Sequence, residues 1–281
     1  MGTGAGGLRF DEIGYWTEIK LDIVREYARA YSRILAKKPL HHFYIDGFAG
    51  SGVNIARRSQ GFVPGSPLNA LNVDPPFDGY FLIDLDGDKV QQLRALPEIR
   101  DRLDVHVICG DCTRVLLDEV FPKVKYGDYR RALCVLDPYG LHLDWEVMRT
   151  AGQMKSVDIF LNFPIMDMNR NVLWRKPQLA RAEDHARMTA FWGDESWRGV
   201  AYQQVPTLFG DCKDIKMGNT QVAQAFQERL RSEAGFKHVS EPLPMRNSMN
   251  AVVYYLFFAS QQPVALKIVQ DIFRKHKNRA V

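Results

Sequence analysis

A short apolar run followed closely by glycines restricts the possible folds of this chain more than any other stretch. The run at residues 42–45 favours a β-strand and ends at Asp46. Three glycines follow within six residues, namely Gly47, Gly50 and Gly52. Because glycine has no Cβ atom, the backbone can turn tightly here and approach a ligand closely. The stretch therefore predicts the end of a first parallel strand and a ligand-binding loop after it.

Further apolar runs follow, and amphipathic helical patterns separate them. The runs are residues 79–86, 105–111, 132–137 and 157–162. Near-continuous apolar strands that alternate with helices indicate a parallel sheet covered on both faces. Two later runs, 236–240 and 251–259, are joined by a turn-rich segment too short for a crossover helix, so we expect an antiparallel hairpin. The predicted fold is α/β, with five parallel strands, a C-terminal antiparallel hairpin and helices on both faces.

Each predicted parallel strand ends in a side chain that can accept hydrogen bonds. These residues are Asp46, Asp84, Asp111, Asp137 and Asn162. Charged groups are seldom buried without partners, so core packing alone does not explain the alignment. In an open α/β sheet a ligand binds beyond the carboxyl ends of the strands. The sequence therefore predicts a ligand site at that edge.

The segment Asp-Gly-Phe-Ala-Gly-Ser-Gly at residues 46–52 resembles motif I of class I methyltransferases, in a version frequent among enzymes acting on nucleic acids. A dinucleotide dehydrogenase would continue with a sixth parallel strand, so the predicted hairpin favours the methyltransferase fold. The resemblance implies S-adenosylmethionine as the cofactor. Its methionine part would lie over the loop residues Asp46, Gly47, Phe48, Ala49, Gly50, Ser51 and Gly52.

The same resemblance implies contacts for the rest of the cofactor. Asp84, with Asp86 as the alternative, would accept hydrogen bonds from the ribose hydroxyls. Asp111 and the backbone of Cys112 would contact the adenine ring.

The segment Asp137-Pro138-Tyr139-Gly140 occupies the position of motif IV, where amino-methyltransferases of nucleic acids carry D-P-P-Y or a relative. In those enzymes the acid and a backbone carbonyl accept hydrogen bonds from the exocyclic amine, the aromatic ring stacks on the extruded base, and no metal is needed. Asp137, Pro138 and Tyr139 are therefore the candidate catalytic residues. The chain departs from the pattern, because Tyr139 comes one position early and Gly140 replaces the aromatic residue.

Over nearly its whole length the chain resembles the three-Cys-motif partner proteins. The matching features are Lys20 in an N-terminal helix, residues 46–52, Gly65-Ser66-Pro67, residues 137–140, residues 161–164 with Arg170, and residues 255–259. The resemblance implies a methyltransferase-like protein that works beside a separate protein carrying three cysteines. The Gly-Ser-Pro element also resembles, more locally, the ribosomal RNA adenine-N6 methyltransferases.

Residues 165–217 form an insertion that the minimal fold does not need. Arginines and tryptophans interleave there, including Arg170, Trp174, Arg175, Lys176, Arg181, Arg187, Trp192, Trp197 and Arg198. Arginine side chains can bind phosphates and tryptophan rings can stack on bases, and this combination suits single-stranded nucleic acid. A helical cap whose tryptophans form a small core is the alternative. The candidate substrate-binding residues are Lys20, Ser66, Asn162, Arg170, Trp174, Arg175 and Lys176.

Two of these candidates have simpler interpretations, which the sequence leaves open. Lys20 lies beside the apolar stripe of the first helix and is either a solvated lysine or a cation directed toward the cleft. Ser66 is either a helix cap alone or part of a helix start that binds a carboxylate.

Composition narrows the class of protein. The chain has 281 residues, four cysteines and a net charge of +4, which leans toward polyanionic partners. No apolar run approaches the roughly 20 residues that span a bilayer, and few cysteines favour a reduced, cytoplasmic setting. Cys109 and Cys112 lack the second pair that a structural zinc site needs, so we expect no metal.

We expect a mobile tail at residues 1–14 and one domain at 15–281.

These patterns predict an S-adenosylmethionine-dependent methyltransferase that acts on an amino nitrogen of RNA or DNA. One alternative is a cofactor-binding partner subunit of a three-cysteine protein with little activity alone. Another is methyl transfer to a protein or a small molecule.

Overall fold

The computed structural model describes residues 11–57, 61–206 and 212–280. The strands in these ranges are β1 (Asp11–Ile13), β2 (His41–Asp46), β3 (Val53–Ala56), β4 (Phe62–Pro64), β5 (Gly79–Asp84), β6 (Val105–Cys109), β7 (Arg130–Leu136), β8 (Val157–Phe163), β9 (Tyr202–Pro206), β10 (Cys212–Lys216), β11 (His238–Val239), β12 (Leu243–Arg246) and β13 (Val252–Ser260). The α-helices are α1 (Tyr15–Leu35), α2 (Ser66–Leu71), α3 (Gly87–Ala95), α4 (Cys112–Val115), α5 (Trp145–Met154), α6 (Ile165–Asn171), α7 (Ala182–Trp192), α8 (Trp197–Ala201), α9 (Asn219–Ser232) and α10 (Pro263–Ala280).

One large sheet organises the fold, and it has the predicted architecture. Its strand order is β11-β13-β8-β7-β2-β5-β6, with β12 also paired to β13. The five strands β2, β5, β6, β7 and β8 are parallel, as predicted. Strand β13 pairs antiparallel with both β8 and β11, which confirms the C-terminal hairpin. The carboxyl ends of the five parallel strands therefore meet at one edge.

Strand β12 lies within the segment that the sequence predicted as turns. Leu243 and Met245 are 6% and 0% exposed, whereas Pro244 and Arg246 are half-buried, so the side chains alternate with a period of two. A proline within a short run argues against a strand, which explains the error. Pairing with β13 outweighs that local preference.

The predicted tail at residues 1–14 is wrong for its last residues. Strand β1 pairs in parallel with β3, with Asp11 opposite Asn54 and Ile13 opposite Ala56. Strand β4 completes this small sheet by pairing antiparallel with β3. Three residues give no readable period, and the partner strand is distant in the chain, so the sequence carried no usable signal. Residues 1–10 lie outside the part of the chain that the structure describes.

Helix α1 forms because its apolar residues recur on one face. Ile19, Ile23, Tyr27 and Tyr31 are spaced four apart and all are buried. They pack with α10 on one face of the large sheet. The ring of Tyr27 lies 4.7 Å from that of Phe258 on β13. None of the helices in the described ranges has the length and apolar character needed to cross a membrane.

The insertion packs into the core on the opposite face of the sheet. Trp192 and Trp197 are each only 1% exposed and belong to the same apolar cluster as the sheet residues. The Trp192 ring lies 5.4 Å from the ring of Phe226 on α9. The interpretation of these two tryptophans as stacking groups is therefore wrong, whereas Trp174 is 38% exposed. Residues 207–211 of the insertion lie outside the described ranges.

We expect Trp192→Phe to lower the free energy of unfolding by about 2 kcal/mol, because it leaves a void and removes the hydrogen bond from Trp192 Nε1 to Ser196 Oγ at 2.9 Å. The matched change Trp174→Phe also removes an indole hydrogen bond, from Nε1 to the Arg170 carbonyl, but at an exposed position where water can replace it, so it should alter the free energy of unfolding by less than about 0.5 kcal/mol. Chemical denaturation followed by circular dichroism measures both. Equal losses would contradict the assignment of Trp192 to the core.

Candidate active site

A cavity of about 570 Å³ opens at the carboxyl ends of the parallel strands. It brings together many of the residues that the sequence singled out. These are Lys20, Gly47, Phe48, Ala49, Gly50, Ser66, Asp84, Asp86, Asp111, Cys112, Asp137 and Tyr139. The strand-end carboxylates of β5, β6 and β7 therefore share one cavity, although their positions in the chain are far apart.

Hydrogen bonds to the two neighbouring strands fix the glycine loop. The Gly47 amide donates to the Val135 carbonyl at 2.9 Å, and the Ala49 amide donates to the Ile83 carbonyl at 2.8 Å. The Gly50 amide donates to Asp84 Oδ2 at 2.8 Å. Gly50 has φ +62°, and a Cβ atom there would have only Asp11 Oδ2 near it, at 4.0 Å. The loop thus presents bare backbone to the cavity.

The last two loop residues serve packing and do not line the cavity. A Cβ atom at Gly52 would lie 2.7 Å from Leu93 Cδ1, so glycine lets the loop pack closely on α3. The Ser51 hydroxyl donates to the Val53 carbonyl at 3.0 Å.

Asp46 lies beneath the loop and does not line the cavity. Its side chain is 1% exposed. Oδ1 accepts a hydrogen bond from the Phe48 amide at 3.2 Å, and Oδ2 accepts one from the Tyr44 hydroxyl at 3.4 Å. Burial raises the pKa of Asp46 to about 6, and a hydrogen bond with Ser66 opposes part of that rise. Asp46 and Ser66 therefore support the loop from below.

The other predicted cofactor acids face the cavity and also bind backbone amides. Asp84 Oδ1 accepts a hydrogen bond from the Asp86 amide at 2.9 Å. Asp86 caps α3 by accepting from the amides of Asp88 and Lys89, and Asp111 caps α4 by accepting from the Arg114 amide. Because a carboxylate oxygen has two lone pairs, these acids can still accept hydrogen bonds from a ligand.

Asp137 takes part in a three-residue polar network. Lys20 donates to Asp137 Oδ2, and Asn162 Nδ2 donates to Asp137 Oδ1 at 2.6 Å. The Lys20 ammonium also lies 5.6 Å from the centre of the Tyr254 ring. Lys20 is 6% exposed, so its interpretation as a solvated lysine is wrong. It presents its charge to the catalytic candidate.

The remaining candidates lie around this network or farther from it. Tyr139 is 80% exposed at the mouth of the cavity, and Pro138 is buried outside the lining. The insertion residues Arg170, Trp174, Arg175 and Lys176 are exposed and do not line the cavity.

One wall of the cavity was absent from the sequence predictions. It is formed by β1 and the start of α1, with Asp11, Glu12, Ile13, Gly14, Trp16 and Thr17. Lys89 Nζ donates to Asp11 Oδ2 at 2.6 Å, and this ion pair joins β1 to α3 at the cavity. Asn54, Arg57 and His142 are further lining residues that the sequence did not reveal. The wall depends on the pairing of β1 with β3, for which the sequence has no signal.

Comparison with known proteins supports the fold. No protein-family model matches the chain, and no curated protein matches it in sequence. The solved structure of protein LPL1258 from Legionella pneumophila str. Philadelphia 1, family-model DUF519, is similar with a TM-score of 0.51 and 14% identity over 92% of each chain. At this identity the similarity shows a shared fold. The resemblance to three-Cys-motif partner proteins stays a prediction.

Weaker similarity extends to two other solved structures. The N-terminal domain of EvdMO1 in the presence of SAH and D-fucose has a TM-score of 0.44 at 12% identity, covering 85% of this chain and 83% of that chain. The plantazolicin methyltransferase BpumL in complex with SAH has a TM-score of 0.36 at 13% identity, covering 88% and 86%.

We expect Asp46→Asn to stabilise the protein at neutral pH and to have little effect near pH 4. The pKa of this buried acid rises from 3.8 to about 6 on folding. The folded wild-type protein therefore loses stability as the pH rises from the first value to the second. The gain in the free energy of unfolding of the variant should therefore grow between these pH values, reach about 3 kcal/mol and stay constant above them. Denaturation at a series of pH values measures it. A gain that does not vary with pH would contradict the raised pKa.

Proposed function

We propose that this protein transfers the methyl group of S-adenosylmethionine to an amino nitrogen of a nucleic acid. The observation that carries the cofactor assignment is the charge of the cavity. Six acidic residues line it, against three basic residues, Lys20, Arg57 and Lys89. An acidic cavity attracts the sulfonium and ammonium groups of this cofactor and repels the phosphates of a dinucleotide.

The residues present fit this cofactor. The bare backbone at Gly50 leaves room for close approach, and the residues from Gly47 to Gly50 would hold the methionine part. Asp84 or Asp86 would accept hydrogen bonds from the ribose hydroxyls, and Asp111 with the Cys112 backbone would hold the adenine. When bound, the cofactor supplies an electrophilic methyl group on a positively charged sulfur.

Asp137 is the group that would orient the acceptor. Its carboxylate would accept a hydrogen bond from an amine N–H, which directs the nitrogen lone pair away from Asp137 and toward the cofactor side of the cavity. Asn162 fixes the orientation of that carboxylate through the 2.6 Å hydrogen bond to Oδ1. Asn162 is therefore a positioning residue, and Asp137 is the catalytic residue.

The assignment of nucleic acid as the acceptor has support from an exposed basic and aromatic segment of the insertion. Arg170, Arg175 and Lys176 are exposed on the insertion together with Trp174, so phosphates and a base could both contact it. Tyr139, exposed at the mouth of the cavity, offers an aromatic ring for stacking.

One observation favours the alternative of a partner-dependent protein. Both oxygens of Asp137 already accept hydrogen bonds, from Lys20 and from Asn162. An amine would therefore have to approach Asp137 beside the Lys20 ammonium, and a separate three-cysteine protein that moves α1 would relieve this crowding. Methyl transfer should be measured with this chain alone and with this chain co-purified with a three-cysteine protein. Activity that occurs only in the co-purified pair would support the partner-dependent alternative.

We expect calorimetry to detect binding of S-adenosylmethionine and not of NAD. Asp84→Asn should weaken that binding by about tenfold or more, because it disturbs a hydrogen bond to a charged group and the contact that fixes Gly50. Asp88→Asn is the matched control, since this exposed acid lies outside the cavity lining. Binding of NAD alone would contradict the proposed cofactor.

We expect Asp137→Asn to reduce methyl transfer by about a hundredfold or more, because the amide no longer accepts the amine proton in the same way. Cofactor affinity should be nearly unchanged. Transfer of a radiolabelled methyl group to RNA and to DNA measures the methyl-transfer activity, and calorimetry measures the cofactor affinity. A variant with full transfer would contradict the role of Asp137.

A further inference from the structure

A second, smaller cavity of about 150 Å³ adjoins the active site. Tyr139 and His142 line both cavities, so the smaller one continues the larger toward the insertion. Its other lining residues are Gly140, Leu141, Asp167, Asn171, Asp184 and Arg187. Helices α6 and α7 of the insertion thus supply the charged groups that face Tyr139.

Gly140 explains how Asp167 reaches this cavity. Gly140 has φ +59°, and a Cβ atom there would lie 2.7 Å from Asp167 Oδ2. Any larger residue at position 140 would therefore clash with the carboxylate and strain the backbone. An aromatic residue, as D-P-P-Y motifs carry at this position, would have to displace the Asp167 carboxylate, which lies against Gly140 instead.

Two of the three charged residues that line this cavity, Asp167 and Arg187, have hydrogen-bonding capacity to spare. Asp167 Oδ1 accepts a hydrogen bond from Asn171 Nδ2 at 3.0 Å, which fixes the carboxylate, while Oδ2 faces Gly140. Arg187 Nη1 lies 3.9 Å from Asp184 Oδ1, which is too far for a hydrogen bond, and its side chain is 51% exposed. A fixed acceptor and a half-exposed cation therefore flank the same small cavity.

We propose that the smaller cavity is a subsite for the nucleotide next to the methylated one. Asp167 accepts a hydrogen bond from the exocyclic amine of an adenine, cytosine or guanine, and Arg187 binds the adjacent phosphate. Thymine and uracil have no exocyclic amine and are disfavoured there. This subsite rests on the proposed function, since it requires a nucleic acid acceptor at Asp137.

The test measures binding of single-stranded oligothymidylates that contain no cytosine, one cytosine or three adjacent cytosines. In wild-type protein, one cytosine should raise affinity by filling the site at Asp137, and three should raise it again by filling the subsite. Asp167→Asn preserves shape, keeps one acceptor oxygen for the hydrogen bond from Asn171 Nδ2, and replaces the other oxygen with an amide donor. It should abolish the second increase, a loss of about tenfold, and keep the first. A second series uses adenine in place of cytosine.

The controls separate a specific role from a structural one. Asp128→Asn makes the same chemical change at an exposed position at the end of a short 3-10 helix, outside both cavities, and should leave both increases intact. Arg187→Gln should weaken binding of every oligonucleotide. It should also reduce the slope of log affinity against log salt concentration by about one, the value expected for one lost phosphate contact.

Two outcomes overturn the subsite, and they differ in what else they affect. A second increase that survives in Asp167→Asn would overturn the subsite and leave the proposed function intact. A wild-type protein without any preference for amine-bearing bases would overturn both. Unchanged cofactor affinity in Asp167→Asn shows that the variant is folded.

Discussion

The hydrogen bond from the Gly50 amide to Asp84 is the contact on which the candidate site depends. It ties the loop after β2 to the end of β5, and the bonds from Gly47 and Ala49 attach the same loop to β7 and β5. Asp46 supports the loop from the buried side, where it accepts the Phe48 amide. Because these groups are held by backbone hydrogen bonds, the cavity is formed before any ligand arrives, which lowers the entropy cost of binding.

Charge divides the site into two regions with different tasks. Carboxylates dominate where the cofactor is proposed to bind, whereas Lys20 is paired with Asp137 where the acceptor is proposed to bind. The hydrogen bonds from Lys20 and from Asn162 fix the Asp137 carboxylate in the position where it would accept a hydrogen bond from an amine. The same pairing limits access to Asp137, so one interaction both prepares and restrains the catalytic candidate.

The insertion combines a structural part with an exposed part. Trp192 and Trp197 are buried in the main core and attach the insertion to it. In this position Asp167 contacts Gly140, and Arg187 lines the same small cavity as Tyr139. Residues 137–140 and the insertion thus become parts of one surface. Gly140 is the residue that permits their close approach.

The five parallel strands, the closing hairpin and the edge at which Asp84, Asp111 and Asp137 meet could be predicted from the sequence, because each depends on local periodicity and on the geometry common to parallel sheets. The other features of the site became visible only in the folded protein. The pairing of β1 with β3 forms one wall of the cavity. Lys20 is buried and forms an ion pair with Asp137. Trp192 and Trp197 of the insertion are part of the core. These outcomes rest on contacts between residues far apart in the chain, and such contacts leave no period in the sequence from which to predict them.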